Sequence, residues 1–186
     1  MRALVAGFAC LLAAACGSQE AAFPAEAPEL VENGTSAAPP QPDGMSLQVS
    51  GSGIGWTGSG SSIAIAFGAS RAEIDTALSA ALDAAAEKSA NDECGAGPIE
   101  FSRYGAFTAN FQDDAFVGWS LDGESDIATG DGLTIGSPRG QVAAVRGYEP
   151  ILQSTLGEEF MVGDISGLFG EDGVERLWAG TNCIFR

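Results

Sequence analysis

One pattern occurs twice in this chain, and a sequence that repeats itself is constrained to build the same local unit twice. Ile65-Ala66-Phe67-Gly68-Ala69-Ser70-Arg71-Ala72-Glu73-Ile74 matches Leu133-Thr134-Ile135-Gly136-Ser137-Pro138-Arg139-Gly140-Gln141-Val142. Both read apolar, any, apolar, glycine, two residues, arginine, two residues, apolar. Further on, Phe111-Gln112-Asp113-Asp114-Ala115-Phe116 parallels Phe169-Gly170-Glu171-Asp172-Gly173-Val174, and a tryptophan follows each, Trp119 and Trp178. The two separations differ, which places a short indel between the halves.

Each copy predicts a strand end, a glycine turn and then a helix. In the first, Ser70 and Glu73 have capping-box spacing. Ile74, Leu78, Leu82 and Ala85 fall on one helical face, and the alanine-rich filler extends the expected helix to about Glu87. In the second, Ser137 is the expected N-cap with Pro138 at the first helical position. Val142 and Val145 face inward, and Gly147 stops the helix. Strands are expected at 106–111 and 116–121 around an Asp113-Asp114 turn. They are expected again at 159–162, 165–169 and 174–179 around Glu171-Asp172-Gly173. Helices on one face of an antiparallel sheet, twice over, predict an α+β fold. The expected organisation is one compact domain over 45–186, with repeat units at about 62–121 and 132–180.

This pattern is similar to the tandem helix-plus-sheet arrangement of the β-lactamase inhibitor proteins and of small lipoproteins in outer-membrane assembly. The resemblance implies the α+β architecture and carries over no functional residue.

The N-terminus reads as an export signal. Arg2 supplies a positive start, and residues 3–15 form an uncharged apolar run. That run is shorter than the roughly 20 residues needed to span a bilayer and fits a secretory segment. It ends Leu11-Leu12-Ala13-Ala14-Ala15-Cys16-Gly17. This resembles the lipobox of bacterial lipoproteins, in which the cysteine becomes the lipidated first residue; Ala13 departs from the usual Leu or Val. The resemblance implies a signal peptide at 1–15, lipidation at Cys16 and, since Gly17 and Ser18 carry no acidic retention signal, an outer-membrane location facing the periplasm. Residues 16–44 then read as a tether. Pro24, Pro28, Pro39, Pro40 and Pro42 alternate with Glu20, Glu26, Glu29 and Glu32, and little apolar surface is present to offset ordering entropy.

Cys10 would leave with the signal, so Cys94 and Cys183 remain. An oxidising compartment makes a disulfide their natural state. It would close a loop of roughly 90 residues and constrain the unfolded chain by about 4 kcal/mol. It would also pin an expected C-terminal strand at 182–186. Two free thiols or a metal pair are the alternatives, the latter without CxxC spacing or histidine to support it.

Composition then removes function classes. The chain has 8 Lys+Arg, 25 Asp+Glu and no histidine, for a net charge of −17, which becomes one unit more negative if Arg2 is removed. There is no imidazole base or ligand. A phosphate backbone finds no Lys/Arg surface, so nucleic acid is not an expected partner. Such a charge repels anionic lipid, leaving acyl chains to do the anchoring.

The remaining motifs read as structure. Gly53-Ile54-Gly55-Trp56-Thr57-Gly58 spells GxGxxG, but a strand rather than a helix follows it, so a Gly/Ser-rich hairpin turn is expected. Asp122-Gly123-Glu124-Ser125-Asp126, with Asp131 nearby, has calcium-like spacing, yet Ile127 and Leu133 stand where an EF-hand needs Gly and Glu. It reads as a solvated acidic loop. The carboxylate pairs Asp113-Asp114, Glu158-Glu159 and Glu171-Asp172 sit in turns or side by side. Glycoside hydrolysis needs carboxylates facing across a cleft. Lys88, the one lysine, is expected at the end of the first helix. Arg71 and Arg139 oppose the dipoles of the helices they start, so each is expected to have another partner, a structural carboxylate of the sheet or linker or, alternatively, an anionic ligand.

No catalytic residue, cofactor or metal is assigned. The expected function is a membrane-tethered periplasmic module of the cell envelope that binds or scaffolds an envelope protein without catalysis. The alternatives are an inhibitor or sensor domain acting on an envelope enzyme and a carboxylate-based hydrolase.

Overall fold

The computed structural model describes residues 45–58 and 60–185. The expected signal peptide, the lipidation site Cys16 and the tether at 16–44 lie outside the described residues.

Three strands come first: β1 (Ser46–Ser50), β2 (Gly53–Gly58) and β3 (Ser61–Ala66). Helix α1 (Arg71–Leu82) follows, then β4 (Glu87–Asn91), β5 (Ile99–Tyr104), β6 (Phe107–Gln112), β7 (Ala115–Asp122) and the two-residue β8 (Ala128–Thr129). After α2 (Arg139–Ala143) come β9 (Tyr148–Ile151), β10 (Glu158–Val162), β11 (Ile165–Phe169) and β12 (Val174–Gly180). A four-stranded sheet has the order β3-β2-β1-β8, and an eight-stranded sheet has the order β4-β5-β6-β7-β12-β11-β10-β9. All pairings are antiparallel except β1 with β8, which runs parallel over Gln48↔Ala128 and Val49↔Thr129.

The expected α+β fold of duplicated helix-plus-sheet units is therefore corrected to a β-rich one. Strands hold 47% of the described residues and helices 12%. Two local causes stand out. First, α1 stops at Leu82, because Asp83 takes a left-handed conformation with φ 48° and its N–H bonds back to Ser79 O. The alanines at 84–86 do not continue it; Glu87 instead pairs with Arg103 as the start of β4. Ladder pairing outweighs the helix propensity of alanine, which is a few tenths of a kcal/mol per residue. Second, α2 has five residues, and its N-cap is Pro138, not Ser137. The Ser137 hydroxyl accepts from Thr134 N at 3.0 Å, inside the preceding turn. Gly147, at φ 85°, serves the turn into β9 beyond the helix end at Ala144.

Other expectations hold. Ser70 caps α1, its Oγ accepting from Glu73 N at 3.3 Å, and Ile74, Ala77 and Leu78 are the buried helix residues. Asp113 and Asp114 both have positive φ, 50° and 60°, the mirror-image turn that suits the twist of a hairpin. One expectation here does not hold: the GxGxxG segment, expected as a Gly/Ser-rich hairpin turn, is strand β2 itself, and its Trp56 is buried.

One apolar cluster joins the parts. Ile54, Trp56 and Ile65 of the small sheet and Ile74 and Leu78 of α1 pack with Phe107, Phe111, Phe116, Trp119 and Leu121 of the large sheet. Phe160, Val174, Leu177 and Ala179 extend it across β10 and β12. Trp119 Nε1 also donates to Ser50 O at 2.8 Å, tying the large sheet to the β1–β2 turn. Each fully buried aliphatic or aromatic side chain contributes about 1.5–3 kcal/mol relative to exposure. The small sheet and α1 thus share one face of the large sheet and leave its other face outward.

Candidate functional site

The outward face is made by alternation. In β6, Phe107, Ala109 and Phe111 join the core cluster, so Thr108 and Asn110 point away from it. Register then lines up polar residues across strands. Arg103 pairs with Thr108, Thr108 with Ser120, and Ser120 with Trp178. Beside that row, Phe101 pairs with Asn110, and Asp122 pairs with Arg176.

The segment after β12 crosses this face as a strap. Cys183 is joined to Cys94, with sulfurs 2.01 Å apart and Cα atoms 5.1 Å apart. Asn110 Nδ2 donates to Thr181 O at 2.9 Å and to Asn182 Oδ1 at 2.8 Å, and Thr181 N donates to Val117 O at 2.8 Å. A side chain at Gly118 would collide with the Thr181 backbone, so glycine is what lets the strap lie down. The disulfide expected between Cys94 and Cys183 is present, but the C-terminal strand expected at 182–186 is not: 182–185 carry no strand pairing.

Strap and sheet together enclose a cleft of ≈ 290 Å³. Arg103, Thr108, Ser120, Asp122 and Arg176 line it from the sheet, and Asn182 and Ile184 from the strap. Arg103 Nη2 donates to Asp122 Oδ1 at 2.8 Å, while Arg176 Nη2 stands 3.8 Å from Asp122 Oδ2, within ion-pair range but beyond a hydrogen bond. Two guanidinium groups thus share one carboxylate, leaving an excess positive charge in the cleft of a chain whose net charge is −17. The side chains of Arg103 and Arg176 are 46% exposed and that of Asp122 is 30% exposed, so they remain open to a ligand.

A second charged group sits on the core side, under α1. Asp75 takes a hydrogen bond from Tyr104 Oη at 2.9 Å and an ion pair from Lys88 Nζ at 2.8 Å, with Arg71 Nε at 3.9 Å. Burial works to raise the Asp75 carboxyl, but Lys88, Ser102 and Tyr104 together outweigh it and hold the group below its ordinary value. Burial, reinforced by Asp75, pushes the Tyr104 phenol above its ordinary value. Lys88, expected at a helix end, is thus a β4 residue braced against α1.

Arg71 and Arg139 each have a carboxylate of the sheet. Arg71 Nη1 lies 2.6 Å from Glu100 Oε2, and Arg139 Nη2 lies 2.8 Å from Glu158 Oε2. Each guanidinium also covers a ring, Phe111 at 4.7 Å and Phe169 at 5.0 Å. The backbone matches too. Gly68 N donates to Phe116 O and Phe116 N to Ala69 O, as Gly136 N donates to Val174 O and Val174 N to Ser137 O.

The remaining motifs are not brought together. Among the described residues no three His, Cys, Asp or Glu side chains are grouped as a metal site. In the acidic loop, Asp122 turns to the arginines while Ile127 and Leu133 anchor the chain in the core. Glu158 shares a face with the core residues Phe160 and Val162 but is exposed at the strand's start, while Glu159 on the opposite face is buried. Trp119 and Trp178, which match in the sequence, point to opposite faces: Trp119 pairs with Ala179 on the core side, and Trp178 pairs with Ser120 on the outer side. Sequence reasoning missed Arg103 and Arg176. The polar alternation of Thr108 and Asn110 was the available signal, but only the register connects it to residues of β5, β7 and β12.

Among the described residues no helix is long and apolar enough to cross a membrane. No protein-family model matches the sequence, and comparisons with curated proteins and with solved structures return no match.

Proposed function

We propose that this chain is a lipid-tethered module of the bacterial cell envelope that binds rather than catalyses, using the outward face of its large sheet. The observation that carries the binding role is the cleft beneath the strap. Five strands and the strap contribute hydroxyl, amide and guanidinium groups to one concavity, and its charged members are held by mutual ion pairing. Such a surface supplies oriented hydrogen-bond donors and acceptors, which is what recognition needs.

The envelope location rests on the N-terminal sequence, with its positive start, short apolar run and Cys16. The Cys94–Cys183 bridge supports it, since such bonds persist in oxidising compartments. Lipidation at Cys16 would place the module on a membrane, and the outer membrane facing the periplasm is the reading kept from the residues after the cysteine. The matched arginine braces support reading the hairpins of β6–β7 and β11–β12 as copies of one unit. Fractionation tests the tether. Cys16→Ala should move the protein from the membrane to the soluble fraction, and an unchanged distribution would contradict lipidation.

A further inference from the structure

We infer that the cleft between the strap and the large sheet takes a saccharide bearing a carboxylate, such as a uronic acid. This rests on reading the cleft as a binding surface and gives that surface a ligand class.

Charge comes first. A chain with 25 acidic residues places two of its few arginines, Arg103 and Arg176, on one face beside a single carboxylate, Asp122. Arg103 spends one N–H on Asp122 at 2.8 Å, and Arg176 stays 3.8 Å away. A guanidinium presents five donors in a planar fork that fits a carboxylate in two-point fashion. The excess positive charge therefore selects an anion, and the fork selects a planar one.

Hydroxyl recognition comes second. A sugar hydroxyl both donates and accepts, so its site needs both kinds of group. Thr108 and Ser120 offer hydroxyls from adjacent strands in register, about 4.8 Å apart in the ladder direction. That spacing is comparable to the width of a pyranose ring. Asp122 adds an acceptor, and the Phe101 ring adds an apolar surface for the C–H face of the sugar. The cleft volume of ≈ 290 Å³ lies at the small end of ligand pockets and suits one ring rather than a long chain. A peptide would more simply pair with backbone at a sheet edge. Here β5, β6, β7 and β12 are paired on both sides in the ladder and only β4 is an edge, so side chains line most of the cleft.

The test is calorimetric titration of the full chain, in detergent, with three probes. Galacturonate carries ring and carboxylate, galactose the ring alone, and propionate the carboxylate alone. Galacturonate should bind at least about tenfold more tightly than either of the others, a difference of about 1.4 kcal/mol. Arg176→Ala should remove most of that advantage while leaving galactose unchanged, and Thr108→Val should weaken both sugars. Equal binding of galactose and galacturonate would overturn the role of the arginines. Equal binding of propionate and galacturonate would overturn the saccharide. Absence of binding by all three probes would overturn the ligand class. In that case the binding reading stands or falls separately, on whether a filled cleft still captures an envelope partner. Trigalacturonate binding more tightly than the monomer would support the proposal with a glycan as the source; equal binding would support it with a free sugar acid.

Discussion

The Arg71 guanidinium sits over Phe111, its carbon 4.7 Å from the ring centroid, while its Nη1 reaches Glu100 at 2.6 Å. Arg139 does the same over Phe169 at 5.0 Å with Glu158. The two braces differ in one respect that sets their worth. The Arg71 side chain is 15% exposed and that of Arg139 is 44% exposed. Cation–π contacts strengthen from about 0.5–1 kcal/mol at exposed sites to about 2 when desolvated.

Arg71→Ala should therefore cost about 2–3 kcal/mol, and Arg139→Ala clearly less. Urea unfolding of each variant checks the order. Equal losses would show that burial does not govern these braces.

Reduction of the bridge should destabilise the domain more than either arginine change. The Cys94–Cys183 sequence separation is 89. Removing a native disulfide costs about 2–5 kcal/mol. The Cys94→Ser, Cys183→Ser double variant should show that loss in urea unfolding, with faster amide exchange in the strap at 181–185. An unchanged unfolding midpoint would contradict a stabilising bridge.

The Asp75 cluster sets an acid limit. Its native carboxyl is held below the ordinary value by Lys88, Ser102 and Tyr104 together despite burial, which works to raise it. The unfolded chain therefore binds a proton more readily than the folded one. The stabilisation is fully present above the unfolded value and is lost as pH falls through the native one. Unfolding midpoints measured from about pH 6 down to pH 2 should fall at the acid end, and Asp75→Asn should flatten part of that slope. An Asp75→Asn slope identical to that of the unaltered chain would remove Asp75 from the account.

Local signals in the sequence were readable where the physics is local. The Ser70 cap and the Asp113-Asp114 hairpin follow from side chains within a few residues. The end of α1 was not readable, because alanine favours helix and only pairing with β5 turns Glu87–Asn91 into a strand. The small sheet was missed for a different reason: it is mostly a local meander, but the glycines at 53–58 suit a turn as well as a strand, and only the two-residue pairing of β1 with β8 is long-range. The limit met at the end of α1 also hid the cleft. Arg103, Asp122 and Arg176 lie on three strands, and ladder register alone places them together. The disulfide was legible because cysteine count left one pair.

The central claim is that the outward face binds. Ser120 sits in the middle of the cleft row, between Thr108 and Trp178. Ser120→Trp would fill the cleft from the sheet side. The measurement is quantitative capture of envelope components by the lipidated full chain, with and without that substitution, each protein shown to have the same urea midpoint. The account expects a partner or glycan retained by the unaltered protein and lost from Ser120→Trp. Equal retention by both, or none by either, would contradict it.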